Sequence, residues 1–348
     1  MSIPYRLHRD ADLGARNTFR VPARAPWLLQ VDDAAHLDEA LGLDAIQGLP
    51  LLPLGGGSNL LFVGDAPGVV LVIGSERIDV LEGDAPRVRV RAEAGASWHA
   101  LVMETVRLGL SGLENLALIP GSVGAAPIQN IGAYGVEAGE RIVAVEAWDR
   151  VRGVRARLDR HACAFGYRDS VFKRDPGRWI ITAVEFELER GGAPRLEYAG
   201  LAEELQAMEA ATPGPREVAE AVIRIRRRKL PDPAVVGNAG SFFKNPIVPQ
   251  AQAEALRALH PALPMFPGDT AATRKLSAAW LIDACGWKGA RDGDAGVSAA
   301  HALVLVNHGN ATGMQLLALA RRIAASVQAR FGVALEPEPR LVGANWAG

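Results

Sequence analysis

The chain has 348 residues, of which 49% are hydrophobic, with 38 Lys and Arg against 39 Asp and Glu. A net charge of -1 provides no global field for nucleic acid or an anionic membrane surface, so we expect neither partner. The two cysteines, Cys163 and Cys285, lack the spacing of a zinc site or a disulfide framework, which predicts no metal and a reducing compartment. The length indicates two or three domains.

The first half of the chain is predicted to mix strands and helices. Its start lacks the basic-then-apolar order of a signal peptide, and no apolar run is long enough for a membrane span, so we expect a cytoplasmic protein. Alternating patterns predict strands at residues 68–73, 88–92, 142–147 and 179–186. A helix is expected between the N-cap Ser97 and the stop signal Gly109.

Helix breakers at residues 191–194 and 212–215 place a domain boundary within residues 190–232. A helix from Arg216 is expected to end at Pro231. The pattern that follows predicts helices over residues 251–259, 274–285 and 314–331, a strand over 302–307 and a last segment over 334–343.

Two glycine-rich loops are the strongest chemical signal in the sequence. The motif LGGGSNL, residues 54–60, lies between strand-like segments, so it is neither a Rossmann nor a Walker loop. Its glycines allow backbone N–H groups to converge on an anion, although a simple hairpin turn is the alternative. Residues 119–135 form a longer loop of small residues, which indicates a second half of a nucleotide site or, alternatively, a buried crossover.

Seven motifs, in order along more than 300 residues, resemble the UDP-N-acetylenolpyruvoylglucosamine reductases, which are also called UDP-N-acetylmuramate dehydrogenases. They are residues 17–21, 55–59, 119–135, 165–173, 229–233, 237–246 and 335–338. The resemblance implies an α+β chain with a FAD-binding fold of the vanillyl-alcohol-oxidase (PCMH) type in two subdomains, followed by a C-terminal α+β substrate-binding domain. The implied boundaries are residues 1–75 with the return of 334–348, then 76–230, then 231–333.

The resemblance also implies the reaction. An oxidoreductase of this family passes hydride from NADPH to N5 of noncovalent FAD and then to the enolpyruvyl group of UDP-N-acetylglucosamine enolpyruvate, making UDP-N-acetylmuramate for peptidoglycan. A monomer is expected. The positions that match the family's FAD contacts are Gly55, Gly56, Gly57, Ser58, Asn59, Leu60, Pro120, Gly121, Ser122, Gly124, Ala125, Gln129, Asn130, Gly132, Ala133, Ile181 and Arg340.

Three residues match the family's catalytic positions. Arg168 corresponds to the arginine that contacts the substrate carboxylate, and an ion pair with Asp169 is its alternative role. Ser241 corresponds to the proton donor, although a serine after glycine is commonly a turn or cap hydroxyl. Glu338 corresponds to the glutamate that stabilises the enol intermediate, with Glu336 as the competing candidate.

Pro339 stands where the family usually carries valine, which removes one backbone donor beside Glu338. The matches on the substrate side are Tyr167, Tyr198, Lys229, Asn245, Lys288 and His301. Tyr198 indicates the subtype with an extra tyrosine loop, Arg226 is a weaker candidate for a substrate contact, and a packed strand histidine is the alternative for His301.

Two other functions are compatible with the loops alone. One is an oxidase of a sugar or alcohol on the same flavin scaffold, which would not explain Ser241, Lys229 and Glu338 together. The other is a binding protein without catalysis, which the presence of these three residues disfavours.

Overall fold

The computed structural model describes residues 3–81 and 86–347. Its strands, numbered in chain order, are β1 Tyr5–Asp12, β2 Arg24–Val31, β3 Leu51–Pro53, β4 Leu60–Phe62, β5 Val69–Ile73, β6 Ile78–Leu81, β7 Arg87–Glu93, β8 Leu110–Ser111, β9 Gly132–Ala133, β10 Val136–Glu137, β11 Ile142–Asp149, β12 Val154–Asp159, β13 Trp179–Arg190, β14 Ile247–Pro249, β15 Met265–Pro267, β16 Thr273–Leu276, β17 Arg291–Asp292, β18 Ala295–Val297, β19 Leu305–Asn307 and β20 Arg340–Val342. Its α-helices are α1 Leu37–Leu41, α2 Trp98–Arg107, α3 Arg160–Cys163, α4 Val171–Arg174, α5 Leu201–Ala207, α6 Pro215–Lys229, α7 Gln250–Leu259, α8 Ala278–Ala284 and α9 Gly313–Phe331.

Residue contacts divide the chain into two compact units. Unit 1 comprises Met1–Ala11, Ala25–Gly56 and Pro67–Arg227, and unit 2 comprises Asp12–Arg24, Gly57–Ala66 and Arg228–Gly348. The first glycine-rich loop is therefore shared, since Gly55 and Gly56 belong to unit 1 and residues 57–60 to unit 2. The division into three parts that the resemblance implies stays a prediction.

Among the described residues, unit 1 contains two larger sheets and the short antiparallel pair of β9 and β10. The first has the order β1-β2-β5-β3, in which β5 pairs in parallel with β2 and β3. The second has the antiparallel order β12-β11-β13-β7-β6, with β8 added to β13. Alternate residues of β7 are buried, as expected for a strand with one face on a core.

Helix α2 packs beside this second sheet. Ser97 is its N-cap, with its Oγ accepting from Ala100 N, and Gly109 adopts a positive φ of 69° just after its end, as the sequence predicted. Trp98 is buried, donates from Nε1 to Leu116 O at 3.0 Å and packs edge-on against Phe186. These contacts fix the start of α2, which lies directly after residues 94–97.

Unit 2 contains three small sheets and the long helix α9. The sheets have the orders β14-β16-β15, β17-β18-β19 and β20-β4, and β20 pairs in parallel with β4. Helix α9 begins with a capping box between Thr312 and Gln315 and ends at Gly332, whose φ is 65°. Within the described ranges, no helix has both the length and the apolar character needed to cross a membrane.

One predicted element is wrong in its first part. Residues 274–276, expected to open a helix, belong to strand β16, which pairs with both β14 and β15. The helix begins only at Ala278, after the N-cap Ser277, whose Oγ accepts from Trp280 N. Similarly, the strand expected over residues 302–307 forms only from Leu305. The other predicted strands and helices are confirmed with small changes of boundary.

The buried Cys163 at the end of α3 makes stability depend on pH in alkali. Burial raises the pKa of its thiol from an ordinary value of 9.0 to about 12, so the folded state keeps the proton that the unfolded state releases above pH 9.0. This contribution to stability is complete below that ordinary pKa and is lost as pH rises towards 12. We expect the free energy of urea unfolding to fall with pH by up to about 1.4 kcal/mol per unit from this group. Cys163→Ala should show a shallower slope over the same range, and identical slopes would contradict the prediction.

Candidate active site

The two glycine-rich loops meet backbone to backbone within unit 1. A Cβ at Gly56 would lie 3.0 Å from Gly121 Cα, and a Cβ at Gly55 would lie 2.3 Å from Ser122 Oγ. Both Gly55 and Gly56 are exposed, and among the described residues their backbone N–H groups donate to no protein acceptor. Exposed amides of this kind bind anions such as a diphosphate. The residues present therefore fit the diphosphate of a dinucleotide.

The second loop is held by the segment that precedes α2. Gly124 N donates to Ala94 O and Val123 N donates to Ala96 O, both at 2.9 Å. A Cβ at Gly124 would lie 2.6 Å from Ala94 Cβ, so only glycine allows this approach. The backbone of predicted cofactor residues 120–125 is therefore fixed by the protein itself.

Asn130, further along the second loop, is 2% exposed, and its side chain is used by protein contacts. Its Nδ2 donates to Glu137 Oε2 at 2.7 Å and to Gly166 O at 3.1 Å, and its Oδ1 accepts from Gly139 N at 2.8 Å. A contact between Asn130 and FAD stays a prediction. Because the side chain is occupied by these three hydrogen bonds, such a contact would be made by the backbone of Asn130. The sequence analysis missed Glu137, although an acidic residue two positions after this loop of small residues was an available signal.

Arg168 sits in a tight turn that is closed at both ends. Gly166 N donates to Asp169 O at 3.0 Å, and Asp169 N donates to Gly166 O at 3.2 Å. Arg168 itself has a φ of 55°, and its Nη2 donates to Gly132 O of the second loop at 2.9 Å. The carboxylate of Asp169, the alternative partner that the sequence offered for Arg168, pairs with Arg174 at 3.1 Å.

Gln129, a predicted cofactor residue of the second loop, is half-buried, and three further predicted residues of unit 1 are aromatic or apolar. The guanidinium of Arg168 lies 5.3 Å from the ring centre of Tyr167. Tyr198 is 44% exposed and packs edge-on against Tyr134 at 4.9 Å, beside a surface cleft of about 400 Å³ that is also lined by Gly135, Arg195 and Glu197. Ile181 is buried in β13.

Within unit 2, the segments that carry Ser241 and Glu338 pair with each other. Glu338 N donates to Phe242 O at 2.8 Å, and Lys244 N donates to Glu336 O at 3.0 Å. The carboxylate of Glu336 is engaged by Lys244 Nζ at 3.0 Å in an exposed ion pair. Both glutamates therefore lie on the segment that pairs with residues 242–244, and the choice of Glu338 over Glu336 stays a prediction.

Pro339 does not disturb this pairing. Glu338 N, before it, donates to Phe242 O, and Arg340 N, after it, donates to Asn59 O at 3.0 Å. Pro339 itself has no backbone N–H group, and the N–H groups of the residues on both sides of it are hydrogen-bonded. In the same segment, Arg340 pairs with Leu60 in the parallel β20–β4 ladder, so these two predicted cofactor residues lie side by side.

His301, Lys229 and Lys288 form one electrostatic group in unit 2. Burial, and then the positive charges of Lys229 and Lys288, lower the pKa of His301 below its ordinary value. Its Nδ1 accepts from Leu303 N at 3.2 Å, so this nitrogen carries no proton. The group therefore offers two cations beside a neutral imidazole.

The loop that carries His301 is bound to the segment of Ser241, because Phe242 N donates to Leu303 O at 2.8 Å. Asn245, four residues after Ser241, accepts at Oδ1 from Ala278 N and so caps helix α8. Predicted catalytic and substrate residues of unit 2 therefore share one network of backbone contacts.

Two family models match separate parts of the chain. Residues 26–158 match the family model described as FAD binding domain, and residues 232–342 match the one described as UDP-N-acetylenolpyruvoylglucosamine reductase, C-terminal domain. A UDP-N-acetylenolpyruvoylglucosamine reductase from Xylella fastidiosa (strain M12) is 56% identical over 340 residues, which are 98% of this chain and 97% of that protein. One from Xanthomonas euvesicatoria pv. vesicatoria (strain 85-10) is 57% identical over 342 residues, 98% of both chains.

The crystal structure of UDP-N-acetylenolpyruvylglucosamine reductase from Thermus caldophilus is 28% identical, with a TM-score of 0.67, and the match covers 97% of this chain and 99% of that one. These matches confirm the α+β class and the FAD-binding fold expected from the motifs. The chain belongs to the UDP-N-acetylenolpyruvoylglucosamine reductase family.

Proposed function

We propose that this chain reduces UDP-N-acetylglucosamine enolpyruvate to UDP-N-acetylmuramate in peptidoglycan precursor synthesis, with noncovalent FAD and with NADPH as the hydride donor. The observation that carries the proposal is the 56% identity, over 98% of the chain, to a relative named for this reductase. We further propose that it works in the cytoplasm as a monomer, with no nucleic acid or membrane partner.

The protein's contribution to cofactor binding lies in the glycine-rich loops. The exposed amides of Gly55 and Gly56, next to Gly121, would hold the diphosphate, because backbone N–H groups are fixed donors that need no reorganisation. When bound, FAD supplies hydride transfer from NADPH to the enolpyruvyl group, which no side chain can perform. Substrate binding, charge stabilisation and proton donation are then the tasks of the protein's own residues.

Arg168 is proposed to bind the substrate carboxylate. A planar guanidinium can donate two parallel hydrogen bonds to two oxygens, and it stabilises the negative charge that spreads into the carboxylate when hydride is added. Its backbone is held in the closed turn at residues 166–169, and its side chain is held by Gly132 O. The arginine is thus oriented before substrate arrives.

Ser241 is proposed to give its Oγ proton to the carbon next to the carboxylate. An alcohol is a weak acid, but a carbanion-like carbon is basic enough to accept its proton if the hydroxyl is held in place. The bridge between Ser241 and Val304, and the pairing of the following residues 242–244 with residues 336–338, supply that rigidity. Glu338, on the paired segment, is proposed to stabilise the enol form.

The cations of unit 2 are suited to the nucleotide part of the substrate. Lys229 and Lys288 are exposed and lie near enough to His301 to lower its pKa, so they form a local positive field on a chain with almost no net charge. We propose that they bind the diphosphate, with Asn245, His301 and Tyr198 as further contacts.

The wild-type protein tests the proposed function through its two half-reactions under anaerobic conditions. NADPH should bleach the flavin absorption, and UDP-N-acetylglucosamine enolpyruvate should then restore it in stoichiometric amount. If oxygen restored the colour quickly and the enolpyruvyl substrate did not, the oxidase alternative would be supported. A protein that could not be reconstituted with FAD would instead support a function without catalysis.

Substitution of the proposed proton donor separates these half-reactions. Ser241→Ala should be bleached by NADPH at the wild-type rate, because reduction of the flavin needs no proton from Ser241. Recovery with the enolpyruvyl substrate should be slower by roughly 10²- to 10⁴-fold, the usual contribution of a positioned acid. Stopped-flow absorbance gives both rates.

Ser326→Ala is the matched control in unit 2. It removes a serine hydroxyl from helix α9, where Ser326 Oγ accepts a hydrogen bond from Trp287 Nε1. Both of its half-reactions should keep wild-type rates. Wild-type recovery in Ser241→Ala would remove Ser241 from the mechanism.

A further inference from the structure

The side chain of Asn130 can adopt one orientation only. Its amide faces two acceptors, Glu137 Oε2 and Gly166 O, and one donor, Gly139 N. Two acceptors require the NH₂ group and the donor requires the carbonyl oxygen, so exchange of the two ends would break all three bonds. A Cβ at Gly139 would lie 2.7 Å from Asn130 Oδ1, which shows how closely this side chain is enclosed.

One of these acceptors belongs to the turn of the proposed carboxylate-binding arginine. Gly166 O accepts from Asn130 Nδ2 and also from Asp169 N, which closes the turn. Arg168, inside that turn, has the left-handed φ of 55°. This conformation costs a non-glycine residue energy, which neighbouring contacts must offset. Lys173 Nζ supports the other side of the turn by donating to Arg168 O at 2.8 Å.

The side chain of Arg168 returns to the loop from which Asn130 comes. Its Nη2 donates to Gly132 O, two residues after Asn130, and a Cβ at Gly132 would lie 3.3 Å from Arg168 Nη1. Backbone and side chain of the arginine are therefore both fastened to residues 130–132 of the second glycine-rich loop.

We propose that Asn130 is a positioning residue for Arg168: its Nδ2 holds Gly166 O and so fixes the turn from which the guanidinium binds a substrate carboxylate. The inference rests on the proposed function of Arg168. It assigns the Asn130 side chain to substrate recognition through Arg168, in place of the direct cofactor contact that the sequence motif implied. Glu137 completes the arrangement by holding the other amide hydrogen.

The test measures equilibrium binding to the FAD-loaded enzyme by calorimetry with two probes. UDP-N-acetylmuramate carries a carboxylate, whereas UDP-N-acetylglucosamine does not. Asn130→Ala should weaken binding of the first by about 10- to 100-fold, the range for losing a charge-assisted hydrogen bond, and should leave binding of the second and the FAD content unchanged.

Asp149→Ala is the control for a general loss of stability. Asp149 is also buried in unit 1, accepts from Val151 N and Arg152 N in the turn after β11, and pairs with Arg178. It should lower the melting temperature without changing the ratio of the two affinities. An equal, unselective loss for both probes in Asn130→Ala would overturn the proposal.

Arg168→Met distinguishes the failure of this inference from failure of the proposed function. If Arg168→Met loses affinity for UDP-N-acetylmuramate selectively and Asn130→Ala does not, Asn130 has no positioning role and the proposed function stands. If Arg168→Met shows no selective loss, the proposed role of Arg168 falls, and the inference falls with it.

A double substitution separates positioning from loop stability. Asn130→Asp places a second carboxylate against Glu137. Adding Glu137→Gln restores a hydrogen bond between positions 130 and 137, in which the amide at position 137 is now the donor and the carboxylate at position 130 the acceptor. No donor then faces Gly166 O. The double variant should regain melting temperature relative to Asn130→Asp and still bind UDP-N-acetylmuramate weakly, whereas recovery of both properties would show that Asn130 serves loop stability alone.

Discussion

The approach of Gly56 to Gly121 is the constraint on which the cofactor side of the protein depends. The absence of a side chain at position 56 allows this approach, since a Cβ at Gly56 would lie 3.0 Å from Gly121 Cα, closer than ordinary van der Waals contact. The second loop is in turn fixed to the start of α2, where Gly124 packs on Ala94. Further along the same loop, residues 130–132 hold the turn of Arg168. In our proposal, cofactor binding and carboxylate recognition therefore share one continuous loop of unit 1.

Unit 2 contributes chemistry of a different kind. Its catalytic candidates lie on short paired segments, where Glu338 N bonds to Phe242 O, and its cations lie around a histidine kept neutral by burial and by Lys229 and Lys288. The reaction that we propose produces negative charge on a substrate that is already anionic. Within unit 2, two lysines and a serine hydroxyl are the residues that we propose to stabilise this charge, while the chain as a whole has a charge of only -1.

Local signals in the sequence predicted much of this fold, and long-range contacts account for what they missed. The N-cap Ser97 and the stop at Gly109 located α2 correctly, because both act within one helical turn. Residues 273–276 form a strand because β14 and β15 pair with both edges, a tertiary effect that overrides a helical pattern. The role of Asn130 was equally hidden, since its partner Gly166 is 36 residues away. Motifs predicted the site residues, and the fold shows which of these residues hydrogen-bond to one another.

The central claim, that the contact between the loops creates the cofactor site, is tested most directly by the dissociation constant of FAD in Gly56→Ala, measured by quenching of flavin fluorescence. The new methyl group meets backbone atoms of Gly121, which cannot rotate away. Gly64→Ala is the matched control, because a Cβ there has no neighbour within 4 Å. The account predicts that Gly56→Ala weakens FAD binding by at least about tenfold, or about 1.4 kcal/mol, with Gly64→Ala unchanged. Wild-type affinity in Gly56→Ala would contradict it.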